Sequence, residues 1–325
     1  MAQLRHKLEQ CLGAEFIEQH PIGASGARIV VTLLAALQER GLKRGDRVAI
    51  LSANRAEYLL TFLGTMQAGL VSVPVNWKLP AETVAYIVGD SDARLVIGDD
   101  ARLALAPDSV PKLSFDRDWA SFIEEGLQAG PFTAVKMKPA EDAMFLYTSG
   151  STGRPKGAVL SHRNLLAMTL NYYADVDRPV AGGSIVHAAP ISHGSGLWNF
   201  PMLARGSVQV FPESGHYDVP ETVGLMNRWP DCSIFLAPTM VKRLIEHGSV
   251  SELRPGALRL ITYGGAPMYV SDLKRAMDLL GDRTLCQLYG QGESPMTITA
   301  LLHWRDAINE GRILLRDVID LEATQ

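Results

Sequence analysis

Cysteine is scarce in this chain: Cys11, Cys232 and Cys286 are the three among 325 residues. They lie too far apart in sequence for the close Cys and His pairs of a zinc site, and they are too few for a disulfide framework. Long apolar runs are lacking as well. The longest, from Ile29 to Leu37, falls far short of the roughly 20 residues that span a bilayer. Residues 1–20 carry Arg5, Lys7, Glu9, Glu15 and Glu18 and have no apolar h-region, so they do not read as a secretory signal. No excess of positive charge exists either, since 31 Lys and Arg stand against 35 Asp and Glu, a net of −4 with His neutral. That excludes a bulk basic surface for nucleic acid, and 47% hydrophobic residues exclude intrinsic disorder. These absences predict a soluble, cytoplasmic protein with no nucleic-acid partner and no transmembrane segment, and they leave its oligomeric state open.

What the chain does have is a rhythm. Its length suits roughly two domains, or one large α/β domain, at about 150 residues each. Short runs rich in β-branched residues alternate with stretches of helical periodicity, the pattern of layered βα units on mostly parallel sheets. Strands are expected at 47–51, 71–75, 94–97, 143–147, 184–188, 208–211, 233–236, 258–262 and 285–289, with helices between most of them. A helical segment from Val31 to Arg40 stops at Gly41, and Lys43-Arg44-Gly45-Asp46 turns the chain into the first strand. Pro107, Pro111, Pro131 and Pro139 mark a less regular stretch. It reads as a connection over 108–138, between a first α/β lobe at 1–107 and a second at 139–301. In the remaining tail, 302–325, Leu314, Val318 and Leu321 keep helical spacing and the βα rhythm stops. No internal repeat or low-complexity tract is present, which excludes solenoids and propellers.

After the expected strand 143–147 comes Thr148-Ser149-Gly150-Ser151-Thr152-Gly153-Arg154-Pro155-Lys156-Gly157. Glycines let a backbone approach a ligand and turn its N–H groups inward, the four hydroxyls add uncharged donors, and Lys156 adds a mobile positive charge. Those are the parts of a polyphosphate site. The same composition also suits a surface turn with a solvated lysine. A Walker A loop is excluded, because glycine would have to precede the lysine and Ser or Thr follow it, where Pro155 and Gly157 stand. A serine hydrolase has little support: there is no G-x-S-x-G elbow, and the adjacent Ser161-His162 orients no triad.

The run from Tyr147 to Gly157 resembles the signature loop of the adenylate-forming (AMP-binding) superfamily, which includes acyl-CoA synthetases and other acid:CoA ligases. Further segments resemble that family in the same order: Asn54 to Tyr58 leading to Gly69 through Asn76, then Pro190-Ile191-Ser192-His193 with Gly194 and Gly196, then Ala237 to Met240, Tyr263 to Pro267 and Tyr289 to Glu293. The likeness runs from about Ala27 to Leu301. It implies the large N-terminal domain of the adenylate-forming fold, and a reaction joining a carboxylic acid to the α-phosphate of ATP before the acyl group passes to coenzyme A. Fatty acid metabolism is one setting it suggests.

Residue by residue, the resemblance gives Lys156 and the loop donors, Thr148, Ser149, Gly150, Ser151, Thr152, Gly153 and Gly157, to the ATP phosphates. It gives Gly264, Gly265, Ala266, Tyr289 and Gly290 to the nucleotide, Glu293 to Mg²⁺, and His193 to the border of the carboxylate. Each residue also has a structural reading. A tyrosine at a strand end packs, a glutamate after a strand serves a helix N-terminus, and a lone histidine is a hydrogen-bonder. Trp198, Phe200 and Met202 suit an acyl pocket or the core. Two departures stand out. Gly292 occupies a place where the family often has threonine, and after Leu301 no ribose-binding aspartate, hinge or lid lysine is recognisable. The expectation is therefore a chain lacking the C-terminal lid, truncated and impaired as a ligase, or a nucleotide- and acyl-binding module without turnover.

Overall fold

The computed structural model describes residues 36–37, 40–128, 135–148, 153–281 and 283–302. The chain divides into two compact units, Met1–Arg163 and Asn164–Gln325. Each is organised around a six-stranded, mostly parallel sheet.

In the first unit the strands are β1 (Arg47–Leu51), β2 (Val71–Pro74), β3 (Ala93–Gly98), β4 (Lys112–Ser114), β5 (Asp142–Thr148) and β6 (Lys156–Ser161), in the order β4-β3-β1-β2-β5-β6. Every pairing is parallel except β5 with β6. The helices are α1 (Ala56–Gln67), α2 (Ala81–Asp90), α3 (Asp100–Leu103) and α4 (Trp119–Gln128). Val48 to Leu51 are all fully buried, the mark of a strand covered on both faces. On α1, Tyr58, Leu59, Phe62 and Met66 recur at helical spacing and are buried, which sets that helix on its sheet. Of the helix expected over 31–40, Ala36, Leu37 and Arg40 are described: the first two are helical and buried, and Arg40 lies exposed in a turn. The expected turn follows, with Gly41 at φ +77° and Gly45 at φ +84°. There the Lys43 N–H donates to Asp46 Oδ2 at 2.7 Å.

The carboxyl ends of β1 and β3 meet closely. A Cβ on Gly98 would stand 1.9 Å from the Leu51 carbonyl oxygen, so only glycine fits. The buried Asp99 caps α3 by accepting from the Arg102 N–H at 3.0 Å, and it also accepts from Ser52 Oγ at 2.8 Å.

The stretch 108–138 differs from the expected inter-lobe connection. It contains β4 and α4, and β4 pairs with β3 inside the first sheet. The prolines misled for a physical reason. Pro111 precedes an edge strand, where a missing N–H costs nothing, and its carbonyl still accepts from Val96 N–H at 2.9 Å. Likewise β5, expected in the second lobe, joins β2 in the first sheet, and the units divide after Arg163.

Helix α5 (His162–Asp175) follows β6. The second sheet holds β7 (Ser184–Val186), β8 (Val208–Val210), β9 (Cys232–Leu236), β10 (Leu258–Gly264), β11 (Leu285–Tyr289) and β12 (Thr299–Leu302), ordered β12-β11-β10-β9-β7-β8, with only β11 and β12 antiparallel. Its helices are α6 (Asn199–Ala204), α7 (Val219–Arg228), α8 (Pro238–Glu246) and α9 (Val270–Leu280). Asp218 caps α7, and proline opens α8 where an N–H would be unpaired anyway. Arg259 on β10 makes a forked pair with Asp177 at 2.6 and 2.7 Å and reaches Ser233 Oγ on β9 at 2.8 Å. Cys232 and Cys286 are free thiols whose pKa burial pushes up to about 12. Among the described residues no helix is long and apolar enough to cross a membrane.

Candidate functional site

In the first unit β5 and β6 form an antiparallel hairpin, with Thr148 opposite Lys156 and Tyr147 opposite Gly157. The two strands therefore flank the glycine and hydroxyl loop, and its described residues stand at the tip end of this hairpin. Thr148, Gly153, Lys156 and Gly157 are described, whereas Ser149, Gly150, Ser151 and Thr152 lie outside the described residues. Gly153 takes φ +86°, which favours glycine. Lys156 is exposed at the start of β6 and has no ion-pair partner among the described residues. Gly157 has a packing reason of its own: a Cβ there would come within 3.0 Å of Tyr147 Cζ, so the tyrosine ring lies across it.

A set of side chains that sequence reasoning missed surrounds this hairpin. Tyr147 donates its hydroxyl to Asp90 Oδ2 at 2.7 Å, and Tyr86 donates to Asp90 Oδ1 at 3.2 Å. The Arg154 guanidinium sits 5.5 Å from the centroid of the Tyr86 ring. Burial, helped by the Asp90 carboxylate, holds the Tyr147 hydroxyl well above its ordinary pKa, so it stays a donor. The i, i+4 spacing of Tyr86 and Asp90 was legible, but nothing local tied either to Tyr147.

In the second unit, Gly264–Ala266 and Tyr289–Gly290 lie at the carboxyl ends of the adjacent parallel strands β10 and β11, where open α/β sheets carry their ligands. Gly265 and Ala266 are exposed, and Tyr289 is half-exposed with its hydroxyl accepting from Gln291 Nε2 at 2.8 Å. Gly290 is needed for close approach, since a Cβ there would stand 2.2 Å from the Met296 amide nitrogen. Residues 290–298 thus close the β11–β12 hairpin, with Gln291 and Ser294 exchanging backbone hydrogen bonds at 3.1 and 3.2 Å. Glu293 projects from this tip, exposed and without an ion-pair partner among the described residues. It begins no helix, which removes the macrodipole reading. Among the described residues no three His, Cys, Asp or Glu side chains converge. The donor set here fits Mg²⁺ as one hard carboxylate oxygen, with phosphate and water oxygens completing the shell.

His193 follows β7 and precedes a 3₁₀ turn, Gly194–Trp198. Its ring reaches solvent, yet enough protein surrounds it that desolvation lowers its pKa. Gly196 permits the turn, because a Cβ would stand 2.1 Å from the Ile191 carbonyl oxygen. At the end of the turn Trp198 is buried with its ring centroid 4.3 Å from that of Phe235 on β9. The turn after His193 is therefore held against the carboxyl end of β9. Met202 is fully buried and belongs to the core, while Phe200 is half-buried.

These strand-end loops on a parallel α/β scaffold match a known family: the AMP-binding enzyme model covers residues 29–316, and the chain belongs to that family. The match continues past Leu301, so part of the stretch 302–325, expected to be unmatched, lies within it. The chain is 29% identical over 261 residues to a feruloyl-CoA synthase of Amycolatopsis sp, covering 78% of this chain and 50% of that protein. It is 28% identical over 288 residues to the mitochondrial malonate–CoA ligase ACSF3 of Homo sapiens, covering 80% of this chain and 48% of that one. The chain thus spans about half the length of these relatives. Among solved structures, the N-terminal domain of FACL13 from Mycobacterium tuberculosis shares the fold, with a TM-score of 0.78 at 24% identity over 88% of this chain and 73% of that one. ATP-bound MatB from Rhodopseudomonas palustris has a TM-score of 0.75 at 26% identity, covering 86% of this chain and 56% of its own.

Proposed function

We propose that this chain is the ATP-binding region of an enzyme that activates a carboxylic acid as its acyl adenylate, the acyl group then passing to coenzyme A in the complete enzyme. The observation that carries the reading is the β5–β6 hairpin, whose tip combines glycines, hydroxyls and an exposed lysine free of any ion pair among the described residues. In the reaction a carboxylate oxygen attacks the α-phosphorus as the bond to pyrophosphate breaks. Both reactants are anions, so charge must be masked before they approach. Lys156 and the loop donors, Thr148 to Gly153, answer that need by holding phosphate oxygens. Gly265 and Ala266 are exposed at the strand end next to that of Tyr289, whose half-exposed ring is free to stack on a base, while Gly264 serves the close approach of β10 to β11. Glu293 would hold Mg²⁺, which supplies charge neutralisation at the phosphates. His193 borders the acid. Close to it in the chain, Ser192 Oγ and Asn199 Oδ1 are buried without hydrogen-bond partners among the described residues, an uncommon state that favours a ligand-facing segment. A cytoplasmic setting agrees with two buried free thiols.

The test is calorimetric titration with Mg·ATP of the parent and Lys156→Ala, followed by ATP–pyrophosphate exchange over a panel of aromatic, dicarboxylic and fatty acids. Binding that weakens at least tenfold in Lys156→Ala is expected, since one charge-assisted phosphate contact is worth about 1.5–3 kcal/mol. Equal affinity in both proteins overturns the phosphate-holding role of the loop.

A further inference from the structure

With the hairpin tip read as an ATP site, its neighbours show what holds it in place. Two attachments flank residues 148–153. Before them, Tyr147 donates to Asp90 Oδ2 at 2.7 Å. After them, Arg154 lies over the Tyr86 ring at 5.5 Å, and Tyr86 in turn donates to Asp90 Oδ1 at 3.2 Å. Both attachments end on α2, one helical turn apart. That helix is a firm base, because Val84, Ile87 and Val88 are buried in the first unit's core. Gly157 completes the arrangement by leaving the space its partner ring occupies.

We propose that Asp90 is a positioning residue for the phosphate loop: its carboxylate, shared by the Tyr147 and Tyr86 hydroxyls, fastens both ends of the hairpin tip to α2 and so fixes where Lys156 stands. This proposal rests on the ATP reading of the loop. A carboxylate is unsuited to touch phosphate, since like charges repel, and its action is through the tyrosines. A glycine-rich chain has much conformational freedom to lose when Lys156 is held on a ligand. Fastening its ends in the free protein removes part of that cost from binding, which raises affinity without any new contact to the nucleotide. The Tyr147 bond has a neutral donor and a charged acceptor at short range, the stronger kind of hydrogen bond.

Trypsin reads the attachment locally. The bond after Arg154 is protected by Pro155, so Lys156–Gly157 is the cleavable bond of the hairpin tip, and its rate under limiting protease tracks how often the tip opens. The proteins to compare are the parent, Tyr147→Phe, Asp90→Ala and Asp90→Asn, with the cut at Lys156–Gly157 followed by mass spectrometry against cuts elsewhere. Tyr147→Phe keeps the ring over Gly157 and removes only the hydroxyl.

The expected result is a roughly three- to tenfold faster cut at this bond in Tyr147→Phe and Asp90→Ala, the range for an ordinary hydrogen bond, to which solvent exposure brings this charge-assisted one. Other cuts stay unchanged, Mg·ATP affinity falls by a similar factor, and Asp90→Asn, which keeps one acceptor oxygen and loses the charge, falls between the parent and Asp90→Ala in both. An unchanged cut in Tyr147→Phe and Asp90→Ala, or an equal acceleration of every cut, overturns the proposal. The ATP reading is judged separately in the parent: if Mg·ATP neither binds nor protects Lys156–Gly157, that reading fails, whatever the variants do.

Discussion

Gly264 faces Leu288 across β10 and β11 so closely that a Cβ on the glycine would stand 2.2 Å from the Leu288 carbonyl oxygen. Its neighbour Gly265 has open space around it but a φ of +82°. The two glycines are thus required for different reasons. Gly264→Ala must push adjacent core strands apart and should cost about 2–3 kcal/mol, at the upper end for overpacking. Gly265→Ala bears only backbone strain, about 1 kcal/mol. Urea denaturation of both variants checks the order, and equal losses would contradict the close-approach argument.

Glu293→Gln keeps the size of an exposed side chain and removes its charge. Calorimetry with ATP should show the affinity gain on adding Mg²⁺ shrinking severalfold, while metal-free binding changes little. A gain equal to the parent's would leave Glu293 without a metal role.

His187 is fully buried, hydrogen-bonded through Nε2 to Gln209 Oε1 at 2.9 Å and stacked on Phe211 at 5.1 Å. Burial lowers its pKa from 6.5 to about 4, against a smaller raising effect of Gln209. The folded protein therefore binds this proton less readily than the unfolded chain does. The associated stability is complete above pH 6.5 and is lost as pH falls towards 4, by about 3 kcal/mol in all. His187→Gln does not titrate, and its stability should fall less steeply across that window in urea denaturation. Parallel slopes for the two proteins would refute the assignment.

Asp177→Ala removes the forked partner of the Arg259 guanidinium and leaves it the bond to Ser233 Oγ, in a setting where Arg259 is largely covered. The expected loss is about 2–3 kcal/mol, read from the denaturation midpoint. Arg259→Lys should lose some of it too, because an ammonium cannot reproduce the forked pair. A midpoint unmoved by Asp177→Ala would show the pair to be energetically idle.

Legibility of the fold varied with the kind of element. The strands expected from apolar runs are all present within a few residues, since a strand buried on both faces writes its pattern locally. The strands overlooked were β4, β6 and β12, which are short or antiparallel edge strands. Such strands carry neither a continuous apolar run nor the βα rhythm. In β6 exposed and half-buried residues dominate, so Lys156-Gly157-Ala158 read as the end of a loop. The candidate site was legible as motifs, from Thr148 to Gly157 and from Tyr289 to Glu293, because their order along the chain resembles that of the family. Their form as hairpin tips was not.

Residue order was enough for the α/β class, for the turn at Lys43 to Asp46 and for the family membership that the ordered motifs announce. Packing in three dimensions was needed for the sheet that β5 joins, for the place where the units divide, and for the meeting of Tyr147 with Asp90 across 57 positions of sequence. The reason is physical. Turn chemistry and apolar periodicity act within a few residues and leave their record there. Strand order and a hydrogen bond between distant side chains depend on how separated elements pack, which local pattern does not encode.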